Sequence, residues 1–116
     1  MVAVVGGRDF KDYNLMKQVL DGIKPKKIIS GGARGADILA EQYSAENEIP
    51  NVIYRPNWAE HGAGKFYGYE RNVFIIHEAT SVVAFWDGKS LGTKHCIELA
   101  LKQKKNLTVI NYNISF

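Results

Sequence analysis

Apolar residues alternate along this chain between short continuous runs and stretches spaced by three and four. "MVAVV" (1–5) is a continuous run and predicts a buried strand that ends at Gly6-Gly7. Residues 12–23 place Leu15, Met16, Val19, Leu20 and Ile23 at helical spacing, and Pro25 among lysines marks the end. "KIIS" (27–30) predicts a second strand, followed by a glycine loop and a helix with Ala36, Leu39, Ala40 and Tyr43 on one face. Pro50 punctuates, and "NVIYR" (51–55) predicts a third strand. An irregular loop over 56–65 carries Pro56, Gly62 and Gly64; a helix over 66–79 runs through Tyr69, Val73, Ile76 and Ala79. "SVVAFW" (81–86), residues 92–105 and "NLTVINY" (106–112) predict a fourth strand, a fourth helix and a fifth strand.

Five apolar strands alternating with four helices imply an α/β domain, a parallel sheet with helices on both faces. The expected architecture is a three-layer Rossmann-like fold with strand order 3-2-1-4-5. Ligands in such folds bind beyond the strand C-terminal ends, near the point where the strand order reverses. The loops "GGRDF", "SGGARGAD" and "WDGKSLGT" all follow strands, so Arg8, Arg34 and Arg55 are expected on that same edge.

The chain has 116 residues, a length that fits one domain over 1–116, with 46% apolar and 23% charged residues. No apolar run approaches the roughly 20 residues of a membrane span, and the N-terminus lacks a basic leader. Cys96 is the lone cysteine, which rules out an internal disulfide. A reducing, cytoplasmic setting and no membrane partner are expected. The net charge of +3 is too small to imply nucleic acid by itself, so any such binding should be weak. Two lysine clusters, Lys24, Lys26, Lys27 and Lys102, Lys104, Lys105, sit at helix ends, where cations complement the helix dipole.

A glycine loop before a helix exposes backbone N–H groups and lets an anion approach without a Cβ in the way. It also simply makes a tight turn. Three such loops on one edge, with arginines beside them, favour an anion site. "SGGARGAD" is not a dinucleotide fingerprint, because Ala33 replaces its second glycine and the next strand ends in Arg55 rather than an acid. "HGAGKF" is not a P-loop, since Ala59 and Phe66 replace the required glycine and Ser/Thr. No bound cofactor is called for. In "WDGKSLGTKH", Ser90 and Thr93 offer hydroxyls near a helix start, and Thr93 is open to capping or to ligand contact. Asp87 either accepts from a ribose hydroxyl or holds the turn, and Trp86 either stacks on a base or packs. Arg71 near a helix start opposes the dipole, which suggests an anion or carboxylate partner. Glu70 is the best-placed carboxylate for acid–base work, with Arg71 and Asp87 as the other candidate catalytic residues. His61, His77 and His95 are too far apart to form a metal-ligand pair.

"GGRDF", "GGARGAD", "AGKFYGYERN" and "AFWDGKSLGT", in this order, closely resemble a family of small bacterial and phage proteins within the SLOG superfamily of Rossmann-like nucleotide-binding domains. The resemblance implies a nucleotide, an ADP-ribose-like molecule or a nucleotide-like signal as ligand, and a homo-oligomer is expected as well. It implies ligand contacts at Gly7, Arg8, Gly31, Gly32, Gly35, Asp37, Arg71, Asn72, Asp87, Gly88, Gly92 and Thr93, to which the residue types add Arg34 and Ser90. The chain is more distantly similar to the Lonely guy phosphoribohydrolases, through Arg71-Asn72 and Gly92-Thr93. Cys96 stands where their catalytic glutamate would be, and Glu98 is two residues further on. Three readings therefore stand: a sensor or binding module, a hydrolase of nucleotides, and single-stranded DNA binding as in the DNA-processing proteins of the superfamily.

Overall fold

The computed structural model describes residues 1–32, 34–54 and 65–112, with the backbone alone over 65–70. Arg55, His61 and the loop 56–64 lie outside the described residues, as do the side chains of Glu70 and Tyr69.

Five strands form one parallel sheet: β1 (Val2–Gly6), β2 (Ile28–Ser30), β3 (Asn51–Ile53), β4 (Ser81–Trp86) and β5 (Asn106–Asn111). The spatial order is β3-β2-β1-β4-β5, the order expected for this Rossmann-like fold. Helices α1 (Tyr13–Ile23), α2 (Ala36–Glu46), α3 (Lys65–Glu78) and α4 (Leu91–Lys102) connect them. None of the helices among the described residues is long and apolar enough to cross a membrane.

The strands read as unbroken apolar runs because both faces are covered. Val2, Val4, Ile28, Val83 and Phe85 face one core with Met16 and Leu20 of α1 and Ala40 and Tyr43 of α2. Ala3, Val5, Ile29, Val82 and Ala84 face the other, with Ile75 and Ile76 of α3 and Cys96 and Ala100 of α4. The two-residue period of a strand therefore sorts alternate side chains into two separate cores. The helices change faces between β1 and β4, and the strand order reverses there.

Local chemistry explains the helix limits. Asp12 caps α1, its Oδ1 accepting from Leu15 N at 3.0 Å. Lys24 ends the helix in the left-handed region (φ 57°), its N–H donating to Leu20 O, and Pro25 follows. Side chains then tie α1 to α2. Tyr43 Oη donates to Asp21 Oδ1 at 2.7 Å, and Tyr13 Oη donates to Glu46 Oε2.

Two elements depart from the pattern in the sequence. Helix α4 stops at Lys102 rather than 105. Lys104 turns left-handed (φ 56°), and Lys105 N–H donates back to Ala100 O at 2.9 Å. This ending usually uses glycine, so a lysine there gives no warning. On α3 the buried stripe is Asn72, Ile75 and Ile76, continued by Ala79 just past the helix end, while Val73 is 43% exposed. Both stripes satisfy the same helical spacing, and the polar Asn72 hid the one that packs.

Candidate functional site at the C-terminal edge of the sheet

The β1–α1 and β2–α2 loops pack backbone against backbone. A Cβ on Gly35 would lie 2.2 Å from Gly7 O and 2.7 Å from Arg8 Cα. Gly35 also holds φ 75°, ψ −125°. Gly7 O accepts from both Phe10 N (3.3 Å) and Ala36 N (3.2 Å), and Gly7 N–H donates to Phe85 O at 3.1 Å. The polar backbone of Gly7 is thus occupied, and a Cβ there would strike Tyr112 Oη. That hydroxyl donates to Asp9 Oδ1 at 2.6 Å, and Tyr112 meets Phe10 edge-on at 4.8 Å. Burial and the Asp9 carboxylate hold the Tyr112 phenol well above its ordinary range. Arg8 and Arg34 project from these loops as exposed cations, and Gly32 takes a positive φ of 72°.

The β4–α4 loop is self-contained. Asp87 Oδ1 accepts from Lys89 N and Ser90 N, both at 2.8 Å, and these two bonds lower its carboxyl below the usual range. It is held ionised, as an acceptor. Ser90, not Thr93, caps α4: its Oγ accepts from Thr93 N at 3.4 Å. Buried Thr93 instead takes a hydrogen bond from Ser90 Oγ (3.2 Å). Trp86 Nε1 donates to Ser90 O at 3.0 Å, so the indole pins this loop. Nothing lies within 4 Å of a Cβ built on Gly88 or Gly92.

Arg71 links α3 to the glycine loop. Its guanidinium rests where a Cβ of Gly31 would be, 2.8 Å from that position. The absent side chain of Gly31 is therefore space that the arginine fills. Its contacts are weak. Nη1 donates to Gly31 O and Nη2 to Asn72 Oδ1, both at 3.5 Å, and the buried Nε has no partner. No carboxylate lies within ion-pair distance of Arg71 among the described residues. Asn72, buried beside it, donates Nδ2 to Gly92 O at 3.3 Å and stands 3.3 Å from His95 Nδ1. Beneath lies Cys96, whose thiol burial pushes up to about 12, with Arg71 opposing and buried Asp37 adding to the shift. The thiol stays neutral.

The structure thus joins Gly7, Arg8 and Gly35 in one contact, Gly31, Arg71, Asn72 and Gly92 in another, and Asp87, Ser90 and Thr93 in a third. His95 and Tyr112 were missed from the sequence. His95 was readable, since it lies three positions after Gly92 on α4 and so on nearly the same face. The role of Tyr112 follows only from β5 ending beside the β1 loop. No group of three or more acidic, histidine or cysteine side chains suited to a metal occurs among the described residues.

A model of the family "YAcAr: YspA, cpYpsA-related SLOG family" matches residues 1–61. The chain belongs to this SLOG family. The Gene 61 protein of Mycobacterium phage D29 is 33% identical over 122 residues, covering 96% of this chain and 94% of that one. Among solved structures, DNA processing protein A of Streptococcus pneumoniae aligns with a TM-score of 0.80 at 21% identity, over 97% of this chain. That of Helicobacter pylori aligns at 0.74 and 21%, over 98%. The chain spans 50% and 66% of those two proteins, so the likeness is one of fold. The SLOG family match takes in the Gly7 and Gly35 loops, whereas Arg71-Asn72 and the Asp87–Thr93 loop lie beyond it.

Proposed function

We propose that this SLOG protein is a binding module for a phosphorylated nucleoside ligand, held at the C-terminal edge of the sheet with Arg71 as its anion anchor. One observation carries the reading. A guanidinium keeps its charge at any physiological pH, and a buried donor without a partner costs stability. Arg71 nevertheless has two long bonds and a partnerless Nε, with no carboxylate beside it among the described residues. A bound phosphate supplies the missing acceptor and the missing charge together. Around it, the exposed Arg8 and Arg34 add positive potential, and Gly88 and Gly92 leave open space. The Helicobacter pylori relative, described as binding single-stranded DNA, pairs the same fold with a phosphate-bearing partner.

Hydrolysis by the route of the Lonely guy enzymes is not expected. Release of a base needs a carboxylate near the sugar or an activated water. Cys96 is a buried neutral thiol, and Glu98 is exposed on α4 away from it. Calorimetry with AMP tests the anchor: Arg71→Ala should lower affinity by about 1–3 kcal/mol, the worth of a charge-assisted bond, and Lys104→Ala should not. Lys104 sits in the α4–β5 turn, at the opposite edge of the sheet. Equal losses in the two variants would overturn the assignment. Chromatography of the same mixtures should find no free adenine formed at an enzymatic rate.

A further inference from the structure

Beside Arg71 the structure exposes two aromatic rings that the cores do not use. Tyr54 follows β3 directly, and Phe74 stands on α3; they are 37% and 58% exposed. Their rings are nearly parallel, 9° apart, with centroids 6.5 Å from each other. This is an offset stack, in which the rings overlap only at their margins and leave much of each exposed. Flat apolar faces turned to solvent are a cost unless something is laid on them.

Their position is set by register. Ser30 pairs with Ile53, which brings Gly31 level with Tyr54 on neighbouring strands about 4.8 Å apart. Tyr54 N–H donates to Ser30 O at 2.8 Å and holds that level. The Arg71 guanidinium rests on Gly31. Phe74 stands three positions after Arg71, and such residues are neighbours on a helix surface, about 5–6 Å apart at Cβ. The buried stripe of α3 is Asn72, Ile75 and Ile76, so Arg71 and Phe74 share the flank toward β3. Both rings thus lie on the same flank of α3 as Arg71.

We propose that Tyr54 and Phe74 form a stacking ledge for the base of the ligand whose phosphate Arg71 holds. The proposal rests on the anchor reading above and assigns residues to the base of that ligand. A cation whose buried Nε lacks an acceptor, on the same flank as an exposed aromatic pair, matches a molecule that joins an anion to a planar aromatic group. Stacking grips any base by its π-face, so the ledge itself is tolerant of base identity.

Calorimetry with AMP and with ribose 5-phosphate separates ledge from anchor. Wild type should bind AMP about tenfold more tightly than ribose 5-phosphate, the usual worth of one stacked base. Phe74→Ala and Phe74→Leu should both erase that preference and leave ribose 5-phosphate binding unchanged; leucine keeps apolar bulk but has no ring face. Phe74→Trp should keep the preference, and the new indole's emission should be quenched by AMP and not by ribose 5-phosphate. Arg71→Ala should weaken both ligands alike. Equal wild-type affinity for the two ligands, or a preference that survives Phe74→Ala, overturns the ledge while leaving the anchor standing. If Arg71→Ala changes neither affinity, or neither ligand binds wild type, the anchor fails and the ledge with it. Sedimentation showing that Phe74→Ala dissociates a self-associated form, with the AMP preference intact, would give the ledge to a second copy of the chain and overturn the proposal.

Discussion

Alanine in place of Gly35 should destabilise the fold by about 3–5 kcal/mol. The added Cβ would lie 2.2 Å from Gly7 O and 2.6 Å from Arg8 C, where ordinary contact begins at 3.4 Å. These are backbone atoms, so no side chain can swing aside, and one loop must move by about 1 Å. That movement breaks the two hydrogen bonds that Gly7 O accepts from Phe10 N and Ala36 N, worth about 1 kcal/mol each. The residue must also hold φ 75°, ψ −125°, a region that costs a side-chain-bearing residue about 1–3 kcal/mol. A domain's whole stability is about 5–15 kcal/mol, so the loss is large. Gly88→Ala is the matched control. It shares a positive φ of 85° but meets nothing within 4 Å, and should lose only the conformational part. Urea unfolding followed by far-ultraviolet circular dichroism reads the difference, with a midpoint for Gly35→Ala lower by roughly 1–3 M. If Gly35→Ala costs no more than Gly88→Ala, the two loops do not interlock as described.

Alkaline pH should destabilise the protein. Burial holds the Cys96 thiol and the Tyr43 phenol up to about 12, above their ordinary 9.0 and 10.0, so their contribution is complete below about pH 9 and is lost as pH rises toward 12; urea midpoints that stay flat between those limits would refute this. Asp87→Ala should cost about 1–2 kcal/mol through the loss of the bonds from Lys89 N and Ser90 N, and Asp87→Asn less than half of that, because an amide oxygen still accepts; equal thermal shifts for the two would show that the turn does not depend on these bonds. Single-stranded DNA should bind weakly and lose affinity only gradually as salt rises, since a net charge of +3 neutralises few phosphates, and the logarithmic salt slope should be about −2. A tight complex insensitive to salt in fluorescence polarisation would contradict it.

Taken alone, the sequence determined the elements and their layering. Runs such as Val2–Val5 and Val82–Phe85 are apolar at every position because a parallel sheet covered on both faces buries every side chain. The stripe through Met16 and Leu20, started by Asp12 and stopped before Pro25, is equally local. Alternation and the handedness of crossovers set a parallel sheet with helices on both faces, and 3-2-1-4-5 is one of the orders they allow. The family motifs, too, are contiguous strings. Only the tertiary structure decided what each loop residue touches. Gly35 meets Gly7 and Arg8, Arg71 reaches Gly31 across 40 positions, and Tyr54 finds Phe74. Such pairs depend on strand register and on where a crossover helix lands, and neither is written into any one segment. The same cause moved capping from Thr93 to Ser90, because Asp87 draws the Ser90 N–H into the turn and sets where α4 begins. It also explains the stripe of α3. Helical spacing allows several faces, and the one that buries Asn72 wins because Gly92 and His95 of α4 stand opposite to receive its amide.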